Sequence, residues 1–277
     1  MKEIEIVTWL LIITNGIVTY IGLKDIQFFS KFLFNVDQVL VYKDYKRLIT
    51  SGFLHVNWMH FGFNMITLYL FSEGLETSVG IVSFLIIYFA SLIGGNVLAL
   101  FIHKHHPDYS AVGASGAISG LVFASIGLFP GLQLGFLLLP FYFPAWFFGI
   151  GYVIYSIYGI KAQKDNIGHE AHLGGGIVGL LVAIMISPGI LTTNLLTILI
   201  ILIPSIVFLY FIIKKPQMLL VANPFAKSKN LYTIEDKYAS SKVSQQKELD
   251  GILDKINKKG YHKLSKKEKE KLQELSK

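Results

Sequence analysis

The sequence predicts an all-α, polytopic membrane protein, and two observations carry that prediction. Of the 277 residues, 53% are hydrophobic and 16% are charged, with a mean hydropathy of +0.54, which is too apolar for an ordinary soluble domain. The apolar residues also fall into seven uncharged runs. Each run is close to the roughly 20 residues that a helix needs to cross a hydrocarbon core of about 30 Å.

The predicted spans cover approximately residues 6–23, 53–71, 81–102, 114–129, 144–160, 171–187 and 191–213. The first run lacks a basic leading segment and a small-residue cleavage site, so we expect a retained span instead of a removed signal peptide. The apolar stretch 132–143 contains Pro140 and is followed by Pro144, which favours an interfacial loop. The long polar connection 24–52 is expected to be functional or mobile.

The formal charge of +7 belongs to the C-terminal tail. Residues 1–213 carry 9 basic and 10 acidic side chains, whereas residues 214–277 carry 16 and 8. This distribution excludes a uniformly basic nucleic-acid-binding domain, and we expect no nucleic-acid partner. The tail bases are all lysines interspersed with acids, which favours a solvated surface, with anionic lipid or a protein partner as alternatives. Residues 214–242 are predicted to be a linker and residues 243–277 a helical hairpin, with a capping box at Ser265 and Glu268.

Uncharged polar residues gather where three of the predicted spans begin. The second span carries His60 and Asn64, which are four residues apart and so share a helix face; the fourth begins at Ser115 and the sixth near His172. Even-numbered spans start at the same membrane face, so these side chains should lie at similar depth. The fourth run is only about 22 Å long, which submerges Ser115 and predicts an aqueous cavity.

Small residues adjoin the same positions. Gly116 and Gly120 are four apart on the fourth span, and Gly175 and Gly179 are four apart on the sixth. Such spacing lets two helix backbones approach closely in a membrane. We therefore expect the fourth and sixth spans to pack together beside Ser115.

The polar cluster has the residue types needed for acyl transfer. Serine requires an adjacent base to become a nucleophile, so Ser115 is the candidate nucleophile and His172 the candidate base. His60, Asn64 and the Ser115 amide are candidate donors to an oxyanion. The alternative is that these groups only satisfy one another's hydrogen bonds in an apolar core. The chain contains no cysteine, which excludes thiol catalysis.

Two histidine clusters are weak candidates for a metal site. His103, His105 and His106 share a loop but have no carboxylate at ligand spacing. His169 and His172 are three residues apart, one fewer than in the zinc-protease motif. We expect no metal and no cofactor.

Taken together, the motifs resemble those of the rhomboid family of intramembrane serine proteases, over about residues 40–190. The matching residues are Gly113-x-Ser115-Gly116, Ala171-His172-x-x-Gly175 and His60-x-x-x-Asn64, with His55 five residues earlier. The resemblance implies a six-helix core, extended here by a seventh C-terminal span. It also implies a Ser115–His172 dyad, an oxyanion site formed by the Ser115 amide, His60 and Asn64, and supporting roles for Gly113, Gly116, His55 and Gly175.

The implied substrates are transmembrane segments of other proteins, cleaved in the lipid bilayer without metal or cofactor. The tail is similar to an appendage of certain bacterial members, which indicates a bacterial inner membrane. A catalytically silent, client-binding relative is the alternative, although the intact Ser115 and His172 argue against it. A transporter would be expected to carry intramembrane charges, and the spans have none.

The sequence departs from the family pattern at two positions. Lys46 stands where a tryptophan often precedes the arginine that Arg47 matches. Ser119 stands where many members have an aromatic side chain that stacks on the catalytic histidine.

The family pattern and the distribution of basic residues predict opposite orientations of the chain in the membrane. The family pattern opens the active site away from the cytoplasm. Lys and Arg residues in the short loops instead favour the active-site face by eight to one, which turns that face toward the cytoplasm.

Overall fold

A computed structural model describes residues 6–72, 74–136, 139–162, 167–214, 252–253, 255–256 and 261–275. The chain divides into two units, residues 1–229 and residues 230–277, and each is described by itself. In chain order, the first unit contains α1 (Ile6–Lys24), α2 (Ile26–Phe32), β1 (Phe34–Asn35), α3 (Val36–Leu40), α4 (Arg47–Thr50), α5 (Trp58–Ser72), α6 (Leu75–Val79), α7 (Ile81–Ile102), β2 (Ser110–Ala111), α8 (Ser115–Leu128), β3 (Gln133–Phe136), β4 (Leu139–Pro144), α9 (Ala145–Ala162), α10 (His169–Ile186), α11 (Ile190–Thr193) and α12 (Leu195–Lys214).

The first unit is mostly helical, and a helix lies in each of the seven predicted apolar runs. Among the described residues, α1, α7 and α10 are long and apolar enough to cross a membrane by length and composition. Helix α8 and the stretch Leu195–Phe211 are shorter apolar helices. The helical membrane class is therefore supported, and the number of spans stays a prediction.

Helix α8 lies at the centre of this unit. Every residue from Gly116 to Gly127 is buried, and the helix packs against α5, α7 and α10. A Cβ atom on Gly175 would overlap the carbonyl oxygen of Gly116, and one on Gly179 would overlap the backbone of Gly120. The backbones of α8 and α10 are thus in direct contact, as the small-residue spacing predicts.

Helix α5 begins at Trp58, five residues after the predicted start of the second span. Asn57 ends the preceding loop as the helix cap, because its side-chain oxygen accepts the His60 N–H at 2.8 Å and its carbonyl accepts the Phe61 N–H at 3.1 Å. Phe53 instead ends a short 3₁₀ turn. His55 therefore lies in a loop and not in a helix.

The stretch 132–143, predicted to be a loop, contains a β-hairpin. Strand β3 pairs antiparallel with β4, so an all-α description of the chain is incomplete. Pro144 is tolerated because it is the last residue of its strand, where its missing N–H removes no hydrogen bond from the interior of the hairpin. Gly131 precedes the hairpin with φ +84°, a conformation that favours glycine.

The long connection 24–52 is built of short helices held by a buried arginine. Arg47 is 6% exposed and donates to the carbonyl oxygens of Ser30 and Leu33, each at 2.8 Å, and to the carboxylate of Asp44 at 3.0 Å. Lys46, at the position where a tryptophan is common, pairs with Asp44 at 3.4 Å. Arg47 therefore fixes the loop without help from an indole ring.

The same connection is tied to the chain segment that precedes α8. Strand β1 pairs with β2, and the Asn35 side chain donates to the Pro107 carbonyl at 3.2 Å and to the Ser110 hydroxyl at 3.1 Å. The approach to Ser115 is consequently braced by residues about 75 positions earlier in the chain.

The second unit contains helix α13 (Lys266–Leu275), preceded by a 3₁₀ turn at Tyr261–Lys263. The predicted capping box is confirmed: the Ser265 N–H donates to Glu268 at 2.7 Å, and the Glu268 N–H donates to the Ser265 hydroxyl at 3.3 Å. Lys255 adds donations to both carboxylate oxygens of Glu268, at 2.7 and 2.9 Å. Most of the first helix of the predicted hairpin, and the linker 215–242, lie outside the described residues.

The capping box gives the tail a pH dependence. The hydrogen bond from Lys255, followed by that from the Ser265 N–H, lowers the pKa of Glu268 from 4.5 to about 2. A lowered carboxyl pKa means that the charged form stabilises the folded tail above about pH 4.5, and that this contribution is lost as the pH falls toward 2.

We expect the amide protection of the first turn of α13 in the full-length chain to fall over that interval. We expect the loss to be reduced in Glu268→Gln, which keeps the cap's shape but not its charge; an identical pH profile in that variant would contradict the assignment.

Candidate active site

The hydroxyl of Ser115 and the imidazole of His172 are in hydrogen-bond contact. Ser115 is the first residue of α8, His172 lies in the first turn of α10, and Ser115 Oγ is 2.7 Å from His172 Nε2. The backbones of the two helices are in contact at glycines, so their first turns lie close together. The side chains of Ser115 and His172 therefore come within hydrogen-bond distance. This geometry allows the ring to take the hydroxyl proton.

Gly113 lets a second histidine approach the serine. Its backbone has φ +131° and its N–H donates to the Ser51 carbonyl at 3.0 Å. A Cβ atom on Gly113 would lie 2.9 Å from His60 Cε1 and 3.0 Å from His60 Nε2, and 3.6 Å from Ser115 Oγ. Both the backbone conformation and the close approach require glycine here. The structure therefore brings His60 beside Ser115.

Asn64 lies one turn further along α5 and is 7% exposed. One of its amide hydrogens is used within the helix, because Nδ2 donates to the His60 carbonyl at 2.9 Å. An amide nitrogen carries two hydrogens, so a second donor remains. The backbone N–H groups at the start of α8, including that of Ser115, have no partner within the helix and provide further donors.

His55 supports His60 from a buried position. Its Nδ1 lies 2.8 Å from the Thr19 hydroxyl, and its ring packs edge-to-face on the His60 ring with centroids 5.0 Å apart. Thr19 comes from α1, outside every motif in the sequence. No local signal marks it, since a threonine in an apolar helix is common.

The aromatic side chain that is missing at position 119 is replaced from another helix. Tyr152 of α9 stacks on the His172 ring, with centroids 6.0 Å apart and planes inclined by 22°. The Ser119 hydroxyl lies 2.7 Å from the Tyr152 hydroxyl. From the sequence, the departure at Ser119 indicated that His172 is positioned either by another group or more loosely, and it did not identify Tyr152.

The loop histidine cluster is partly internal. His103 is 6% exposed, its Nε2 lies 3.0 Å from a carboxylate oxygen of Glu170, and its ring stacks on Tyr109 with centroids 3.6 Å apart. These contacts fasten the loop before α8 to the start of α10. Within the described ranges, no group of three or more His, Asp or Glu side chains is arranged to hold a metal ion.

The fold and the site define a class: a mostly helical membrane protein with a serine–histidine pair at the starts of two helices in contact. A family model described as the rhomboid domain matches residues 42–189, and the chain belongs to the rhomboid family. A second model, described as a family of unknown function, matches residues 232–277. The two matches fall in the two separate units of the chain.

Curated relatives match part of the chain. Rhomboid protein 1, mitochondrial, of Saccharomyces cerevisiae is 31% identical over 160 residues, which are 55% of this chain and 46% of the relative. Rhomboid protease AarA of Providencia stuartii is 27% identical over 168 residues, 54% of this chain and 59% of the relative. Inactive rhomboid protein 1 of Drosophila melanogaster is 34% identical over 82 residues, 30% of this chain and 6% of the relative. The matched part thus spans about half the length of the first two relatives and little of the third.

Proposed function

We propose that this chain is an intramembrane serine endopeptidase that cleaves transmembrane segments of other proteins through a Ser115–His172 dyad. The observation that carries the proposal is the distance of 2.7 Å between Ser115 Oγ and His172 Nε2. A catalytically silent member of the family would have no need for this contact. The match to a relative named a protease adds support at the level of the family.

The first half of the reaction forms an acyl-enzyme. Ser115 Oγ attacks the carbonyl carbon of the scissile peptide bond while His172 Nε2 takes the hydroxyl proton. The carbonyl oxygen of the substrate becomes an oxyanion, which the Ser115 N–H, the Asn64 amide and the His60 ring N–H would stabilise. The intermediate collapses as His172 returns the proton to the leaving amine, and the peptide C–N bond breaks.

The second half releases the acyl group. A water molecule attacks the ester carbon, His172 takes its proton, and Ser115 recovers its hydroxyl hydrogen when the ester C–O bond breaks. The products are a new carboxylate and a new amine, with no net change in the enzyme. No step requires an oxidant or a metal.

The position of the serine supports transmembrane segments as the substrate class. Ser115 begins a buried helix inside an apolar unit, so a segment that reaches it must be able to enter the lipid bilayer. A helical segment hides its carbonyl groups in internal hydrogen bonds, so the bond to be cleaved must first become extended. We therefore propose that glycine or proline near the cleavage site increases the rate.

The proposal is tested with the full-length protein in proteoliposomes. We expect a serine-directed fluorophosphonate to label the wild type, and a model transmembrane substrate to be cleaved, with both activities lost in Ser115→Ala. Ser205→Ala is the matched control, since it removes a buried serine hydroxyl that bonds only within α12. Unlabelled wild type, or cleavage that persists in Ser115→Ala, would refute the proposal; the former would favour a silent, client-binding protein.

We further propose that α1, α5, α7, α8, α9, α10 and α12 all cross the membrane, in the inner membrane of a bacterium. An odd number of spans puts the two chain ends on opposite faces, whichever way the active site opens. Paired topology reporters, one before Met1 and one after Lys277, are therefore expected to give opposite signals. Equal signals would show that one of the seven helices does not cross.

A further inference from the structure

Tyr152 is the described aromatic residue whose ring lies nearly parallel to the ring of the candidate base. Its ring lies 6.0 Å from the His172 ring, centroid to centroid, with an interplanar angle of 22°. Two phenylalanines hold Tyr152 in turn: Phe148 stacks on it and Phe123 meets it edge-on, both with centroids 5.8 Å away. These contacts hold the Tyr152 ring in place, so it can restrict the movement of the His172 ring beside it.

The hydroxyl of Tyr152 is joined to the helix that carries the nucleophile. Ser119 has one hydroxyl hydrogen, and it donates this hydrogen to the Ser115 carbonyl at 2.7 Å. The 2.7 Å contact between Ser119 and Tyr152 must then be a donation from the tyrosine O–H to Ser119 Oγ. The contacts close a ring: Ser115 to His172, His172 to Tyr152, Tyr152 to Ser119, and Ser119 back to Ser115.

The imidazole needs such a constraint because no described hydrogen bond holds its second ring nitrogen. His172 Nδ1 is buried and has no hydrogen-bond partner in the described part of the chain. In a serine–histidine–carboxylate triad, a hydrogen bond at this nitrogen holds the ring in place. Here the contact at Nε2 with Ser115 alone leaves the ring free to tilt about that bond. The described rings that can limit the tilt are His169, which meets it edge-on with centroids 6.1 Å apart, and Tyr152, which lies nearly parallel to it.

We propose that Tyr152 is a positioning residue for the reaction. Its ring holds His172 in the plane in which Nε2 faces Ser115 Oγ, and its hydroxyl, through Ser119, ties that ring to the first turn of α8. This inference rests on the proposed function. It also explains why a serine is suitable at position 119: the small side chain leaves room for a ring from α9 and supplies the acceptor that this ring's hydroxyl uses.

The test measures the rate of Ser115 labelling by a fluorophosphonate together with kcat and KM for a transmembrane substrate. Tyr152→Leu is expected to lower the labelling rate and kcat by about 10²-fold, the cost of a small misplacement of a catalytic group. KM should stay close to the wild-type value, because Tyr152 acts on His172 and not on the bound substrate. Tyr152→Phe keeps the stacked ring and should recover most of the loss, to within about 5-fold of wild type.

A double variant tests the link through Ser119. Ser119→Ala and Tyr152→Phe each remove the same hydrogen bond, so the combined variant should be no slower than the slower single variant. Tyr158→Leu is the matched control, because Tyr158 is also a tyrosine of α9 and is 61% exposed. We expect that control to label at the wild-type rate.

The possible outcomes separate the two proposals. If Ser115 is labelled in the wild type and Tyr152→Leu labels equally fast, the positioning role is wrong and the protease proposal stands. Unlabelled wild type overturns both. If Tyr152→Leu does not fold, the hydrogen-bond variants decide: additive losses in Ser119→Ala and Tyr152→Phe, or a rise in KM without a fall in kcat, would overturn the positioning role.

Discussion

Replacing His172 with alanine is expected to lower kcat for a transmembrane substrate by at least about 10³-fold, because Ser115 then has no base. The double variant Ser115→Ala/His172→Ala should be no slower than either single variant. Ser115 and His172 take part in the same proton transfer, and removing either residue abolishes it. The falls in kcat of the two single variants therefore do not add. The measurement is single-turnover cleavage in proteoliposomes.

His105→Ala is the control for that experiment. His105 is exposed in the loop before α8, so the variant should retain wild-type turnover. A double variant slower than both single variants would mean that Ser115 and His172 act in separate steps. The dyad would then be the wrong description.

Replacing Gly175 with alanine is expected to destabilise the first unit and to abolish labelling of Ser115. The added Cβ would overlap the Gly116 carbonyl, which is backbone and cannot move aside as a flexible side chain can. Overpacking of this kind costs about 1–3 kcal/mol and occasionally more. The helices must separate or shift to relieve it, and His172 lies one turn from Gly175 on the helix that moves. Thermal unfolding in detergent and fluorophosphonate labelling measure the two effects.

Gly151→Ala provides the matched comparison, since no atom lies within 4 Å of a Cβ placed there. That change removes a glycine from the interior of α9 and should stabilise the helix by about 0.5–1 kcal/mol. An unfolding midpoint for Gly175→Ala equal to that of Gly151→Ala would contradict the backbone contact between α8 and α10.

The sequence was sufficient where the relevant spacing is local. The positions of Ser115 and His172 at the starts of two helices, and the glycine spacing that lets those helices touch, are properties of short segments. The Ser265–Glu268 capping box belongs to the same category, because both partners lie within one helical turn. Single-segment patterns of this kind survive folding unchanged.

Contacts between distant segments could not be predicted in the same way. Tyr152 faces His172 only because of the rotation of α9 about its own axis, and the contact of the Tyr152 ring with Phe123 of α8 depends on the same rotation. Thr19 reaches His55 from a helix in which nothing distinguishes it from other polar residues. The hairpin of β3 and β4 was missed because its two prolines argued against regular structure, although Pro144 lies at a strand end where it is harmless.

The complete burial of α8 has a consequence for how the protein is made. A segment that contacts only protein in the finished fold has no stable place in lipid when it first leaves the ribosome, and α8 is also too short to span the bilayer unaided. Its partner α10 ends at Ile186, so at about 5–20 residues per second α8 waits several seconds for that helix to be synthesised. During this interval α5 and α7, which are complete before α8 emerges, are the neighbours able to shelter it, and α7 has the more extensive contact with it. We therefore expect α7 and α8 to leave the insertion machinery together during biogenesis of the protein.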